Sequence, residues 1–256
     1  MIAQKEFPIL EFDACRQAKI EPDNIKNKID CPKACVITFF GEVIQNKADA
    51  NLLKKIASIN TATIRIPVYE TFYGDERVGL VLGYVGGPGA SGELEELIAM
   101  GFEKFIVCGG AGVLRRDIQV GHLIVPYSAI RDEGTSFHYV EPSYEVACNA
   151  RALSAIEECL NSENIPYIKS KTWTTDAPYR ETNDKIALRV SQCCVTVEME
   201  AAAFFAVAQF RNVVLGQILY GGDDLSGVEW DQRRWVSRDE IRRNLVELCF
   251  KIALKL

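Results

Sequence analysis

Histidine is scarce in this 256-residue chain: His122 and His138 are the only two. The nine cysteines are odd in number, scattered through apolar contexts, and form no paired C-x-x-C sets. Together these features exclude a zinc site, and the thiols read as reduced residues of a cytosolic protein rather than a disulfide framework. Long hydrophobic runs are missing as well. The longest, residues 201–208, falls far short of the roughly 20 residues a membrane-spanning helix needs, so no membrane association is expected. Glu6, Glu11 and Asp13 interrupt the start of the chain, where no signal peptide is expected. Basic charge is neither dominant nor clustered: 29 lysines and arginines face 35 acids for a net charge of −6, which argues against nucleic acid as a partner. A small anion can still be bound through backbone amides or isolated arginines.

What is present is the composition of a globular α/β protein, 48% hydrophobic and 25% charged. Residues 1–33, mixed and polar with Pro8, Pro22 and Pro32, read as an arm packed on the surface, and residues 34–256 as one α/β domain. Val, Ile and Tyr content predicts strands at 35–40, 63–69, 78–85, 104–108, 123–130, 167–174, 195–197 and 213–219. Helices are expected at 47–58, 91–100, 144–160, 181–192 and 201–210. A last helix is expected after Ser237, where Ser237-Arg238-Asp239-Glu240 matches a capping box and Ile241, Leu245, Leu248, Cys249, Ile252 and Leu256 form an apolar stripe. Strand 78–85, helix 91–100 and strand 104–108 make a βαβ unit with parallel strands. The fold class is α/β: a single domain with a central, mostly parallel mixed sheet flanked by helices.

In open α/β sheets, ligands bind beyond the carboxyl ends of the strands. Five segments fall there: Gly41-Glu42, Gly109-Gly110-Ala111-Gly112, Trp173-Thr174-Thr175-Asp176 with Tyr179, Glu198-Met199-Glu200, and Gly221-Gly222-Asp223-Asp224. Gly87-Pro88-Gly89-Ala90-Ser91-Gly92 is a literal G-x-G-x-x-G, but the next strand ends without the acid that a dinucleotide ribose requires. Those glycines read instead as close strand–helix approach. Gly109 to Gly112 suits either a bare turn or a backbone-amide surface for an anion or a sugar. Glu198 and Glu200 either complement the N-terminus of the following helix, or accept hydrogen bonds from a vicinal diol such as ribose and stabilise an oxocarbenium-like sugar. Asp223 and Asp224 suit a turn, or a proton donor to a leaving group. His138 reads as structural and His122 as a surface turn residue.

From about residue 34 to residue 217 these segments together resemble the nucleoside phosphorylases of the trimeric and hexameric type. That superfamily includes purine nucleoside phosphorylase, uridine phosphorylase and methylthioadenosine nucleosidase. The resemblance rests on Gly86-Gly87-Pro88 with Leu94-Glu95-Glu96-Leu97-Ile98, Gly101 and Cys108-Gly109-Gly110-Ala111-Gly112, and on Arg131-Asp132-Glu133-Gly134-Thr135-Ser136-Phe137-His138. Its most specific part is Val197-Glu198-Met199-Glu200-Ala201-Ala202. The resemblance implies a pentosyltransferase that cleaves the N-glycosidic bond of a ribonucleoside, purine favoured and uridine the alternative, with phosphate as acceptor. It further implies that Glu200, with Met199 and Glu198, holds the ribose and that Asp223 assists the departing base. Trp173, Tyr179 and Asp176 would flank the base, and Gly41, Gly110 and Ala111 would frame the acceptor pocket. A homo-oligomer is implied; a metal or cofactor is not.

The departures concern the acceptor. Phosphate-using relatives carry Gly-Asp-Pro-x-x-Arg after the first strand, and an Arg three residues before a Ser or Thr in the central loop. Here Gln45 stands at the first arginine, and Val107 and Gly110 stand at the other two positions. Each hydrogen bond to a charged group is worth about 1.5–3 kcal/mol, so two missing arginines remove several kcal/mol of anion binding. Three outcomes are open. Another cation (Lys47, Arg65, Arg115 or Arg116) substitutes; or water replaces phosphate, with Glu42 activating it as in hydrolytic members; or the chain binds nucleosides without turnover.

Overall fold

Every residue of the first strand, β1 (Ala34–Thr38), is buried, as in a strand covered on both faces. Cys35 and Ile37 enter one apolar layer, Ala34 and Val36 the other. The structure, a computed structural model, describes residues 2–256. After β1 come α1 (Gly41–Asp49), β2 (Lys54–Asn60), β3 (Arg65–Tyr73), β4 (Glu76–Leu82), α2 (Gly87–Met100), β5 (Lys104–Val113), β6 (Leu123–Asp132) and β7 (Glu145–Ala147). They are followed by α3 (Ala150–Ser162), β8 (Tyr167–Thr175), α4 (Asn183–Ser191), β9 (Cys194–Glu198), α5 (Ala201–Arg211), β10 (Val214–Asp224) and α6 (Asp239–Ala253). Helices α2 and α5 cover the first apolar layer; α1, α3 and α6 cover the second.

The strands form one sheet in the order β10-β6-β8-β9-β5-β1-β4-β3-β2, with β7 paired to β6. Because β10 also pairs with β5, the strands β5, β10, β6, β8 and β9 close on themselves, and β1, β4, β3 and β2 extend from β5 as an open wing. β5 is shared by both parts. Its first half runs parallel to β1 as far as Cys108, and its end, Gly112 and Val113, pairs antiparallel with β9.

Among the described residues five of the ten strand pairings are parallel, so the sheet is evenly mixed rather than mostly parallel. The expected βαβ unit has parallel strands, but β1 lies between β4 and β5, so the crossover skips one strand. The helix expected at 47–58 does not form. Instead α1 begins at Gly41 and stops at Asp49, Asn51 takes a left-handed φ of 56°, and the chain continues as the edge strand β2. Leu52, which with Leu53 and Ile56 stands at helical spacing in the sequence, is exposed. Residues 144–160 divide into β7 and α3, whose N-cap Asn149 accepts a hydrogen bond from Ala152 N at 3.1 Å. The capping box at Ser237 is absent too: α6 starts at Asp239, and the Ser237 hydroxyl donates to Arg234 O at 2.9 Å. Residues 2–33 contain only 3-10 turns at Pro8–Leu10 and Pro22–Asn24. They lie against α2 and α5, where Lys26 pairs with Glu96 (3.0 Å) and Arg211 bridges Glu21 (3.3 Å) and Glu95 (2.6 Å).

Among the leucines of α2, Glu93 is buried. Its Oε2 accepts from Tyr84 N at 2.9 Å, and Oε1 has no partner among the described residues. Burial pushes its pKa up to about 8. Between the unfolded value of 4.5 and this raised one, only the folded state keeps the proton, so stability falls as pH rises through the interval. In Glu93→Gln, the decline of the urea midpoint from about pH 5 to about pH 8 becomes shallower, and the variant is the more stable protein at the upper end. Identical slopes in the two proteins would refute a buried, proton-holding Glu93.

Candidate active site

β9 ends at Glu198 and α5 begins at Ala201, so Glu198-Met199-Glu200 is the junction between them. The first N–H groups of a helix lack intrahelical partners, and Glu198 satisfies those around this start. Its Oε2 accepts from Glu200 N (2.8 Å) and Ala201 N (2.6 Å), and its Oε1 accepts from the Thr174 hydroxyl (2.6 Å). Both oxygens are therefore consumed within the chain. Glu200 is different. Its Oε1 accepts from Gly86 N at 2.7 Å, while Oε2 is engaged by no group among the described residues. Only 6% of Glu200 is exposed, and burial, then the charge of Glu198, pushes its pKa above the ordinary carboxylate range. Burial also raises Glu198, against the three hydrogen bonds that favour its ionised form.

Between this junction and the carboxyl ends of β1, β5 and β10 is a cavity of about 200 Å³. Glu198, Met199 and Glu200 line one side, and Gly109 and Gly110 form the floor. β5 stays extended through these glycines, so they are not a turn. A methyl group on Gly110 would stand 2.5 Å from Trp235 Cζ3, and one on Gly109 would stand 3.0 Å from Phe39 Cδ2. The aromatic rings pack directly on bare backbone. Gln217 of β10 and Arg242 of α6 complete the lining. Gln217 is 1% exposed, and neither its oxygen nor its nitrogen has a partner among the described residues. Arg242 is buried, with Nε donating to Tyr220 Oη (3.0 Å) and Nη1 to Glu42 Oε1 (2.8 Å). Its guanidinium stands 5.0 Å from the Phe40 ring centre and 5.5 Å from that of Trp235.

Asp223 lies outside this cavity wall, one residue past Gly222, whose backbone abuts the Trp235 ring. It accepts from the Trp230 indole N–H at 2.7 Å (Oδ2), and burial raises its pKa. Burial first, and the nearby charge of Asp223 second, push Glu181 up to about 7.

Of the residues singled out from the sequence, Glu198, Met199, Glu200 and Gly110 share the cavity. Gly41 opens α1 and Ala111 is buried in β5; neither lines it. Trp173 corrects the expectation of a base-stacking ring. It is fully buried beneath β8 against Ile130, Cys194 and Val197, and its indole N–H donates to Asp132 Oδ2 at 3.0 Å, which leaves no face for a ligand. Tyr179 is 98% exposed and lines no cavity with Glu200. Asp176 accepts from Gly134 N (2.8 Å) and faces a separate groove beside the N-terminal arm. The cations considered as substitutes also lie elsewhere. Lys47 pairs with Glu247, Arg65 bonds Asn60, Arg115 pairs with Asp117, and Arg116 lines an outer groove. The cavity cation is Arg242, which sequence reasoning missed together with Trp235 and Gln217. Of these, only Gln217 carries a local sign, as the one polar side chain among residues 213–219.

The profile of the phosphorylase superfamily matches residues 33–255. A guanosine phosphorylase of Halorubrum lacusprofundi is 29% identical over 173 residues, covering 66% of this chain and 71% of that protein. A uridine phosphorylase of Thermococcus kodakarensis is 35% identical over 95 residues, 37% of this chain and 34% of its own length. Among solved structures, uridine phosphorylase from Vibrio fischeri aligns with a TM-score of 0.74 at 20% identity, over 90% of this chain and 95% of that one. Purine nucleoside phosphorylase from Toxoplasma gondii aligns with a TM-score of 0.68 at 18% identity, over 87% and 92%. These structural likenesses establish the shared fold, and with the profile running from the start of the domain to its last helix, the chain belongs to the phosphorylase superfamily.

Proposed function

We propose that the protein is a nucleoside phosphorylase, a pentosyltransferase that moves the ribosyl group of a ribonucleoside from its base to inorganic phosphate. The observation that carries this reading is Glu200: a buried carboxyl with one oxygen anchored on Gly86 N and the other free beside a glycine-floored cavity. Ionised, it accepts hydrogen bonds from the 2′- and 3′-hydroxyls, while Met199 packs on the sugar and Glu198 holds the junction through its backbone bonds. As the C1′–N bond lengthens, positive charge grows on the sugar ring, and a carboxylate in a water-poor site stabilises it strongly. The electron pair of that bond leaves with the base, a phosphate oxygen closes on C1′, and Asp223 supplies the proton to the departing nitrogen. Asp223 with Glu181 nearby suits a purine, whose ring nitrogens both accept and donate, and the guanosine phosphorylase relative supports the same preference.

Base release from guanosine, inosine and uridine, measured with and without inorganic phosphate, tests the reading. Release is expected to be at least roughly tenfold faster with phosphate, with ribose 1-phosphate as co-product and the purine nucleosides ahead of uridine. Free ribose formed at a rate that phosphate does not change would identify a hydrolase. Nucleoside-induced thermal stabilisation without turnover would identify a binding protein.

A further inference from the structure

We infer that the tetrahedral oxyanion of the acceptor is held by Arg242 and Gln217, a subsite supplied by the last helix and the last strand of the chain. The inference rests on the phosphorylase reading above and assigns its acceptor to named residues. The segment after β1 contributes no cation to the cavity: it is helical from Gly41, and the Gln45 amide donates to Asp49 Oδ1 at 2.7 Å. Arg242 is the one cation in the cavity wall among the described residues. A guanidinium has five N–H donors. Tyr220 and Glu42 take one each, and Nη2 has no acceptor among the described residues. Glu42, its only ion partner, is about one-third exposed and screened by water, so much of the buried charge of Arg242 acts on the cavity.

Gln217 supplies the second observation. A buried amide with neither atom bonded is costly to keep, and cores are normally free of such groups. A phosphate removes the cost completely, since its oxygens accept from Arg242 Nη2 and Gln217 Nε2 and its P–OH donates to Gln217 Oε1. The two acids in the cavity do not oppose it strongly. Burial raises the pKa of both carboxyls and so disfavours the charged forms that would repel the anion.

Titration calorimetry of the full chain with inorganic phosphate, at fixed ionic strength and without nucleoside, tests this directly. Phosphate affinity falls roughly tenfold or more in Arg242→Met and recovers partly in Arg242→Lys, as expected when a charged hydrogen-bonding partner is lost and its charge restored. In Gln217→Met it falls about three- to tenfold while Tm stays level or rises, because an orphaned amide is replaced by an apolar chain of similar length. Should Arg242→Met not fold, Gln217→Met decides. A wild type that takes up no phosphate, or folded variants that bind it as the wild type does, would overturn the assignment. The titration needs no turnover. Phosphate-independent base release would sink the proposed function while leaving this test valid, and phosphate-driven turnover with unaltered binding in the variants would sink only this subsite.

Discussion

Replacing Glu200 by glutamine lowers kcat/KM for the nucleoside by roughly three orders of magnitude without unfolding the protein. The variant keeps the side-chain length and the anchor, since the amide oxygen still accepts from Gly86 N. What it loses is on the other side. The free oxygen becomes an NH₂, a donor facing hydroxyls that themselves need an acceptor, and no negative charge remains to meet the cation developing on the sugar. Stability holds or improves, because burial and the neighbouring charge of Glu198 both make ionised Glu200 costly. The pH profile supplies a sharper check. Burial keeps Glu200 protonated beyond the ordinary carboxylate range, so in the wild type kcat/KM climbs with pH as that proton leaves. In Glu200→Gln this rising limb disappears. Activity within a few-fold of wild type, or an unaltered limb, would take the carboxyl out of the reaction.

The second large effect is expected at Asp223. Asp223→Ala lowers kcat by about 10²–10³-fold, the range for a positioned general acid, and leaves the nucleoside KM nearly unchanged because the side chain lies outside the sugar cavity. The diagnostic substrate is a riboside of a good leaving group, such as a nitrophenol, which departs as an anion and needs no proton. With it, the variant regains most of the lost rate. Trp230→Phe, which removes only the indole N–H that donates to Oδ2, produces a much smaller loss. An equal deficit on natural and activated substrates would show that Asp223 serves geometry and not proton transfer.

Legibility from sequence follows how local each feature is. Strands buried on both faces, such as β1 and the first half of β5, announce themselves as continuous apolar runs. Glu198-Met199-Glu200 is readable as a strand–helix junction, but not which acid serves the helix and which faces outward. Glu198 accepts from the helix-start N–H groups, and that division depends on Gly86 and Thr174 from distant parts of the chain. Trp173 misleads for a local reason: an aromatic beside Thr174, Thr175 and Asp176 looks like a binding segment, but its ring fills the space under β8 and its N–H is spent on Asp132. Arg242 is invisible for the opposite reason. On the helix it is one of two adjacent arginines, Arg242 and Arg243, between Ile241 and Leu245, and only the docking of α6 across β1 and β5 turns it inward beside Tyr220. β2 shows the same limit: Leu52, Leu53 and Ile56 match a helical period, but from Lys54 onward the chain pairs with β3 as a strand.

Being stitched to neighbours along both edges, first to β1 and then to β9 with β10 alongside, gives β5 a consequence for how new specificities arise. The base of the hollow cannot deform to suit a different guest without breaking two hydrogen-bonded ladders at once. Adaptation must therefore come from the rim, where residues 225–238 and the start of α6 are joined to the rest mainly by side chains, so exchanging that short stretch should retune ligand choice while leaving the scaffold beneath untouched.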